Sequence, residues 1–585
     1  MPRKKLFAII GAVILLAIGI LIACIIFQNN SNTSSDDVSE INIEYLSDTL
    51  DLSNATYITS ENGEISINGS GAVAKNGSVT ISNKGVYVLK GDFTELITVN
   101  AEKSDVYLVL DGANISNDNG AAIYATKVAT LYLAATENTT NTISDGTNYS
   151  ENYGTEDVDA AVYSKGNIAL IGNGEITING NHYHGIHSKD YLQVLGGTFN
   201  ITASRNGLMG KDYVAIKDGT LNITCDNDGI KSNNDSDTKL GYIAIDGGNI
   251  TINSVGDAIQ AETRVSITGG NFNITTGGGA KNTSTNYSQW GNWRGTNANS
   301  ESNTSAKGVK AEKYVLISGG TFTLSTSDDA LHSNTNIVID GGTFSIKSGD
   351  DGIHANTSLT INGGTIDIAQ SYEGIESAEI TINAGTINIV ASDDGFNAAG
   401  GNDSSSTNGR QGQGFFSSST GTLTINGGTI NVNAGGDGLD SNGAMYITGG
   451  YIAVDGPTNN GNGALDHDGT FEISGGTLIA AGSSGMLELP STTSTQNSIC
   501  IIFSSTPSAG TEFVLKDTSG NTILTYTPSK QYASIVISSP NIKTGESYTA
   551  YTGGAEVATV TINSTVTSYG TNGGMNRGGN GGMRR

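Results

Sequence analysis

The sequence predicts an all-β protein: a parallel β-helix with coils of about 22 residues, followed by a small antiparallel β-domain near the C-terminus. Three observations predict it. A Gly-Gly-Thr-type turn recurs along the chain, as GGTFNI at Gly196, DGTLNI at Asp218, GGTFTL at Gly319, GGTFSI at Gly341, GGTIDI at Gly363 and GGTINV at Gly427. The second glycine of this turn falls at 174, 197, 219, 248, 270, 320, 342, 364, 385, 428, 450 and 476, so seven of the eleven steps are 21 to 23 residues. Within one period, alternating apolar residues such as Leu359, Ile361, Ile366 and Ile368 flank the glycine corner, and Ile380, Ile382, Ile387 and Ile389 repeat them one period later. A leucine-rich repeat has a similar period, but its Leu/Asn consensus is missing.

Composition narrows the function classes. Glycine is 80 of 585 residues and proline only 6, which excludes collagen and Pro-rich linkers. The balance of 29 Lys+Arg against 56 Asp+Glu gives −27, the wrong sign for holding nucleic acid or an anionic membrane surface. Cys24, Cys225 and Cys500 are too few for a disulfide framework and have no zinc spacing.

The elements follow in order. Arg3, Lys4 and Lys5 precede a run of 22 uncharged residues, Leu6 to Phe27. Residues 1–28 therefore form either a membrane-spanning anchor or a lipoprotein signal, the latter because Leu21-Ile22-Ala23-Cys24 matches a lipobox with Cys24 as the lipidated residue. Both readings place the rest of the chain outside the cell, tied to its surface. Residues 29–40 are a polar spacer, and 41–165 read as irregular β coils that cap the stack. The repeat occupies 166–489, interrupted by insertions at 276–306 and 398–421. Residues 490–569 carry strand-like runs of the C-terminal β-domain, and 570–585 form a Gly-rich tail read as disordered.

Stacking turns the period into columns. The residue before the Gly-Ile pair reads His184, Asn206, Asp228, Asp257, Lys307, Asp329, Asp351, Glu373, Asp394 and Asp437, and Asp328, Asp350 and Asp393 add a second acid. Carboxylates one coil apart repel by about 3 kcal/mol at an effective dielectric near 20, so the ladder must raise its pKa values, splay into water or hold cations. Oxygen ligands in flexible turns suit calcium rather than zinc or magnesium. The alternative is that Asp-Gly is ordinary solvated turn chemistry. Three residues further on lies a second column, His187, Met209, Lys231, Gln260, Lys310, His332, His354, Glu376, Asn397 and Asp440. It is expected to point outward as polar surface, with a histidine metal trio of His187, His332 and His354 as the alternative. In the first insertion Tyr287, Trp290 and Trp293 are exposed stacking groups for sugar rings, or else pins for the loop.

HGIHSKDYLQVLGG from His184, NGLMGKDYVAIKDG from Asn206, DGIKSNNDSDTKLGYIAIDGG from Asp228 and DAIQAETRVSITGG from Asp257 resemble the bacterial carbohydrate-binding β-helix family, over roughly Ile58 to Tyr569. The resemblance implies a right-handed helix, bound calcium, and binding of polygalacturonate and cellulose. His184, Asn206 and Lys307 depart from the acidic column. The combined expectation is a non-enzymatic, cell-surface protein that binds acidic polysaccharide such as pectin with Ca2+. Lys231, Lys310, Trp290, Trp293 and Tyr287 would meet the ligand, and Asp228, Asp257, Asp328, Asp329, Asp350, Asp351, Glu373, Asp393, Asp394 and Asp437 would hold metal. Two alternatives remain: a calcium-dependent pectate lyase with Lys231 or Lys310 as base, and a self-assembling surface filament. No nucleic-acid partner is expected, and contact with membrane only through the N-terminal segment.

Overall fold

A computed structural model describes residues 41–281, 305–399 and 421–570. The anchor or signal segment with Cys24, the spacer, Tyr287, Trp290, Trp293 and the tail from 571 lie outside the described residues. Everything regular in the described chain is β-strand, with 47 strands joined in one large sheet and four in a second.

Parallel pairing of each strand with its counterpart one turn of the chain later dominates the large sheet. Tyr191–Val194 pairs with Tyr213–Ile216, which pairs with Tyr242–Ile245. Thr198–Ala203 pairs in the same way with Thr220–Cys225 and then Asn249–Ser254. Exposed asparagines join neighbouring turns, as Asn222 Nδ2 does with Asn200 Oδ1 at 2.8 Å and a separation of 22 residues. Alternation decides which side chains enter the core: Asn249–Ser254 is exposed and buried by turns. Phe272, Phe322 and Phe344 share one inner column and stack at 4.5 and 4.6 Å between ring centroids. Their outward neighbours Asn271, Thr321 and Thr343 are in register and exposed.

The repeated glycine has a steric cause. Gly342 sits at φ +103, and a Cβ there would lie 3.1 Å from the Phe344 ring and 3.3 Å from the Gly320 carbonyl. The corner must therefore be glycine in coil after coil.

Both ends of the stack are covered. At the first, two hairpins, Thr56–Glu61 with Glu64–Asn68 and Ala72–Lys75 with Ser78–Ile81, precede the long parallel strands. Parallel pairing begins where Thr56–Glu61 meets Gly85–Phe93. The arm at 41–55 lies against this part, with Tyr45, Leu46 and Leu50 packed on Val109, Tyr132, Ile171 and Leu195.

At the other end Thr477–Gly482 pairs antiparallel with Ser534–Ser538, which pairs antiparallel with Ser498–Ile502. A four-stranded antiparallel sheet, formed by Phe513–Asp517, Thr522–Tyr526, Ser547–Thr552 and Ala555–Thr561, shares an apolar layer with Ile479 and Ala481 of the last coil. Lys530 fastens it by donating to the carbonyl oxygens of Asp455 at 3.2 Å and Gly456 at 3.3 Å.

Since Phe322 is buried between two other rings, Phe322→Ala is expected to cost about 3–5 kcal/mol of local stability. Urea unfolding followed by far-UV circular dichroism checks this; an unchanged midpoint would contradict the column packing.

Candidate functional site

The acidic column begins as an answer to a backbone problem. Where the chain turns before each Gly-Ile pair, an N–H points along the stack and needs an acceptor. The side chain one coil earlier supplies it. Asp228 N donates to Asn206 Oδ1 at 3.1 Å, Asp257 N to Asp228 Oδ1 at 3.1 Å, and Lys307 N to Asp257 Oδ1 at 2.8 Å. Further along, Asp351 N donates to Asp329 Oδ1 at 3.1 Å, Glu373 N to Asp351 Oδ1 at 3.2 Å, and Asp437 N to Asp394 Oδ1 at 2.6 Å. His184 starts the line by accepting the Asn206 N–H on Nδ1 at 3.2 Å. The first part of the column is therefore buried rather than solvated, with Asp228, Asp257, Asp329 and Asp351 all 5 % exposed or less, whereas Glu373, Asp394 and Asp437 are half-buried.

The second column is not the outward polar surface its composition suggested. His187, His332, His354 and Asn397 are buried, each turned onto a carboxylate of its own or the preceding coil. Lys231 Nζ donates to Asp228 Oδ2 at 2.7 Å, and Lys310 Nζ lies 3.7 Å from Asp257 Oδ2 and 3.9 Å from Glu312. His332 Nδ1 meets Asp329 at 2.8 Å, and His354 Nδ1 meets Asp351 at 3.1 Å and Glu376 at 2.8 Å. His332 and His354 stack at 5.1 Å. Burial opposes charging of His354, yet the hydrogen bonds it gives to Asp351 and Glu376 push its pKa up to about 12.

Lys307, which reads in the sequence as a break in the acidic column, is its internal counterion. Its Nζ sits 2.8 Å from Asp328 Oδ1 and 2.6 Å from Asp329 Oδ2. Burial would raise the Asp329 pKa, but the Lys307 ammonium and the His332 bond hold it far below the carboxylate range.

Among the described residues, three groups bring His and acid ligand atoms within 4.8 Å of one another: Asp159–His184–His187, Asp351–His354–Glu376 and Asp328–Asp329–Asp350. Each is already satisfied. The third contains the Lys307 ammonium, and the second contains charged His354. In the first, His187 Nδ1 donates to Asp159 at 2.6 Å. Burial pushes His184 down to about 4, and its Nδ1 is occupied as an acceptor, so its one proton lies on Nε2, facing Asp159 at 3.6 Å. The histidines at 187, 332 and 354 are thus partners of carboxylates and do not converge on one point.

From Glu373 onward the lysine counterions stop, and among the described residues histidine meets only Glu376, through His354, and Glu488, through His467. Among the described residues no Lys or Arg pairs with Glu373, Glu376, Asp393, Asp394, Asp437, Asp440, Asp466 or Asp468. Burial, then the charges of Glu376 and Asp394, raises the Glu373 pKa well above its ordinary value. Burial with Asp393 and Asp437 pushes Asp394 up to about 8, and burial with Asp466 and Asp437 pushes Asp440 up to about 8. Asp437 is pushed up to about 6 by burial and Asp466. Asn397 lies in register between Glu376 and Asp440. Its Nδ2 donates to Glu373 at 2.8 Å, while its buried Oδ1 has no donor. Once these raised acids ionise, the buried amide oxygen is set among acceptors only. That donor set fits a hard cation taking carboxylate, amide and water oxygens, as calcium does.

A family model described as a carbohydrate-binding domain-containing protein matches residues 75–352 and 350–395. The chain belongs to this carbohydrate-binding domain family. A protein of Acetivibrio thermocellus with the same description is 32% identical over 123 residues, which is 20% of this chain and 43% of that relative. The chain thus spans less than half of that relative's length. A solved structure of a polysaccharide lyase-like protein from C. thermocellum, a gadolinium derivative, is 30% identical and aligns over 38% of this chain and 92% of its own, with a TM-score of 0.38.

The raised acids fix the sign of a pH dependence. A carboxyl whose folded pKa is raised stabilises the fold fully below its unfolded value, near 4, and that contribution is lost as pH rises through about 8. The melting temperature of calcium-free protein is expected to fall across this interval, and millimolar calcium to restore it more at pH 8 than at pH 5. A melting temperature that is flat or rising without calcium would contradict the open acidic end.

Proposed function

We propose that this family member is a cell-surface, calcium-assisted binder of acidic polysaccharide of the polygalacturonate type, built on a right-handed parallel β-helix. The observation that carries the reading is the buried, donor-less Asn397 Oδ1 among Glu373, Asp394, Asp437 and Asp440. Those residues would hold the ion, whose charge offsets the repulsion between a chain of net charge −27 and a polyanion. Asp228, Asp257, Asp328, Asp329, Asp350 and Asp351 carry the alternative ligand set within the same column. Their nearby cations, Lys231, Lys310, Lys307 and His354, favour the stretch beyond them. The N-terminal segment at 1–28 is proposed to tie the protein to the cell surface.

Binding is favoured over lyase chemistry by the state of the two candidate bases. Lys231 is joined to Asp228 and Lys310 faces Asp257, so neither offers a free amine to a proton on a sugar ring. The filament reading is weakened by the covered strand edge at the C-terminal end of the stack.

The test mixes residues 36–585 with polygalacturonate, with calcium or with a chelator, and follows co-sedimentation and the absorbance of unsaturated uronate in one tube. Calcium-dependent retention without new absorbance is expected. Asp394→Asn combined with Asp440→Asn is expected to weaken that retention at least tenfold. Rising absorbance would make the protein a lyase, and retention indifferent to calcium would remove the ion from the account.

A further inference from the structure

The residues immediately before the acidic column form a lane of their own, joined by backbone hydrogen bonds from coil to coil. Arg205 N donates to Tyr183 O at 2.7 Å, Asn227 N to Arg205 O at 3.1 Å, and Gly256 N to Asn227 O at 3.0 Å. At the opposite end the same lane runs through Asp350, Tyr372, Asp393 and Gly436. The lane therefore leads from a basic, aromatic start to the open acidic end.

Its start is a row of planar groups. Tyr149 stacks on His182 at 4.2 Å, His182 meets Tyr183 at 4.1 Å, and the Arg205 guanidinium carbon lies 5.4 Å over the Tyr183 ring. The row is fixed from beneath: Tyr149 donates its hydroxyl to Asp145 at 2.6 Å, and His182 Nδ1 lies 3.0 Å from the Thr147 carbonyl. Because that carbonyl can only accept, the His182 proton sits on Nδ1 and Nε2 is left as an acceptor in the neutral ring. The outer groups are open. Tyr183 is 40 % exposed and Arg205 is exposed. Among the described residues, Arg205 forms no ion pair, and the Tyr183 hydroxyl has no hydrogen-bond partner.

We infer that Tyr183, Arg205 and His182 form a binding subsite for a single uronate residue of an acidic glycan, at the end of the lane remote from the open acids. The inference rests on the reading of the protein as an acidic-polysaccharide binder and locates a direct, cation-independent contact within it. Cation–π contact with Tyr183 holds the guanidinium by its flat face, which leaves the N–H fork to take a carboxylate in two parallel hydrogen bonds. The Tyr183 hydroxyl and His182 Nε2 stand beside it to pair with ring hydroxyls, and the tyrosine edge supplies apolar contact to the sugar. Lysine in place of Arg205 would keep the charge and lose the fork.

The experiment measures binding of a short oligogalacturonate and of a neutral cello-oligosaccharide by calorimetry, at saturating calcium, for the wild type and for Tyr183→Ala, Arg205→Gln and Arg205→Lys. Arg205→Gln is expected to lower oligogalacturonate affinity at least tenfold and leave the neutral sugar unaffected. Arg205→Lys should recover only part of the loss, and Tyr183→Ala should weaken the acidic ligand severalfold. Calcium stoichiometry and melting temperature should be unchanged in all three, since the side chains are exposed and lie outside the acidic stretch. Wild-type affinity in both Arg205→Gln and Tyr183→Ala would overturn the subsite while leaving the calcium-assisted reading intact. A wild type that binds no oligogalacturonate overturns both.

Discussion

One hydrogen bond recurs along this molecule: a side chain in one coil accepts the backbone N–H of the corresponding residue in the next, broken at Lys307, where the Asp329 N–H turns to Asp328 instead. The turn before each Gly-Ile pair leaves that N–H without a strand partner, and a buried orphan donor costs about 1–3 kcal/mol. Asp, Glu and Asn are short enough to reach it from one coil away, as Asn206, Asp228, Asp329 and Asp394 do. Satisfying the backbone with carboxylates has a consequence: it stacks negative charge at strand spacing inside a protein, which the surroundings must offset.

The offset divides the column into two regions with different chemistry. Through Asp228, Asp257, Asp329 and Asp351, lysines and histidines from the second column or from Lys307 meet the remaining oxygens. From Glu373 to Asp466 the second column supplies Glu376, Asn397, Asp440 and Asp466 instead. In the first region these cations meet the carboxylates from within the protein, although burial and the neighbouring Glu373, Asp350 and Asp329 still raise the Asp351 pKa well above its ordinary value. The second is left with protons or a cation from solution, and a protonated carboxyl or a cation can each meet Asn397 Oδ1. Membership of a carbohydrate-binding family and an acidic surface become compatible once the ion belongs to this second region and a cationic contact, Arg205, lies at the other end of the same lane.

Much of this was legible in the sequence, because a repeat writes its geometry into spacing. The glycine corner, the alternating Leu359, Ile361, Ile366 and Ile368 and the identity of both polar columns follow from residues about 22 apart. What the sequence could not convey was direction and reach. His332 and His354 read as outward-facing from the polar make-up of their column, whereas both are buried against the carboxylates of Asp329 and Asp351. Lys307 reads as an interruption because its charge acts one coil away, on Asp328 and Asp329. Arg205 and Tyr183 carry no motif: only stacking places an arginine over a tyrosine 22 positions earlier. The tryptophans of the first insertion, which composition singles out, lie outside the described residues.

The most direct test of the divided column is a crystal structure of the protein soaked in calcium, with ion positions identified by anomalous scattering. The account predicts ion density beside Asn397 Oδ1 and within reach of Asp394 or Asp440, with the Lys307 ammonium still between Asp328 and Asp329. Density at Asp328, Asp329 and Asp350 with Lys307 displaced, or none along the column at saturating calcium, would contradict it.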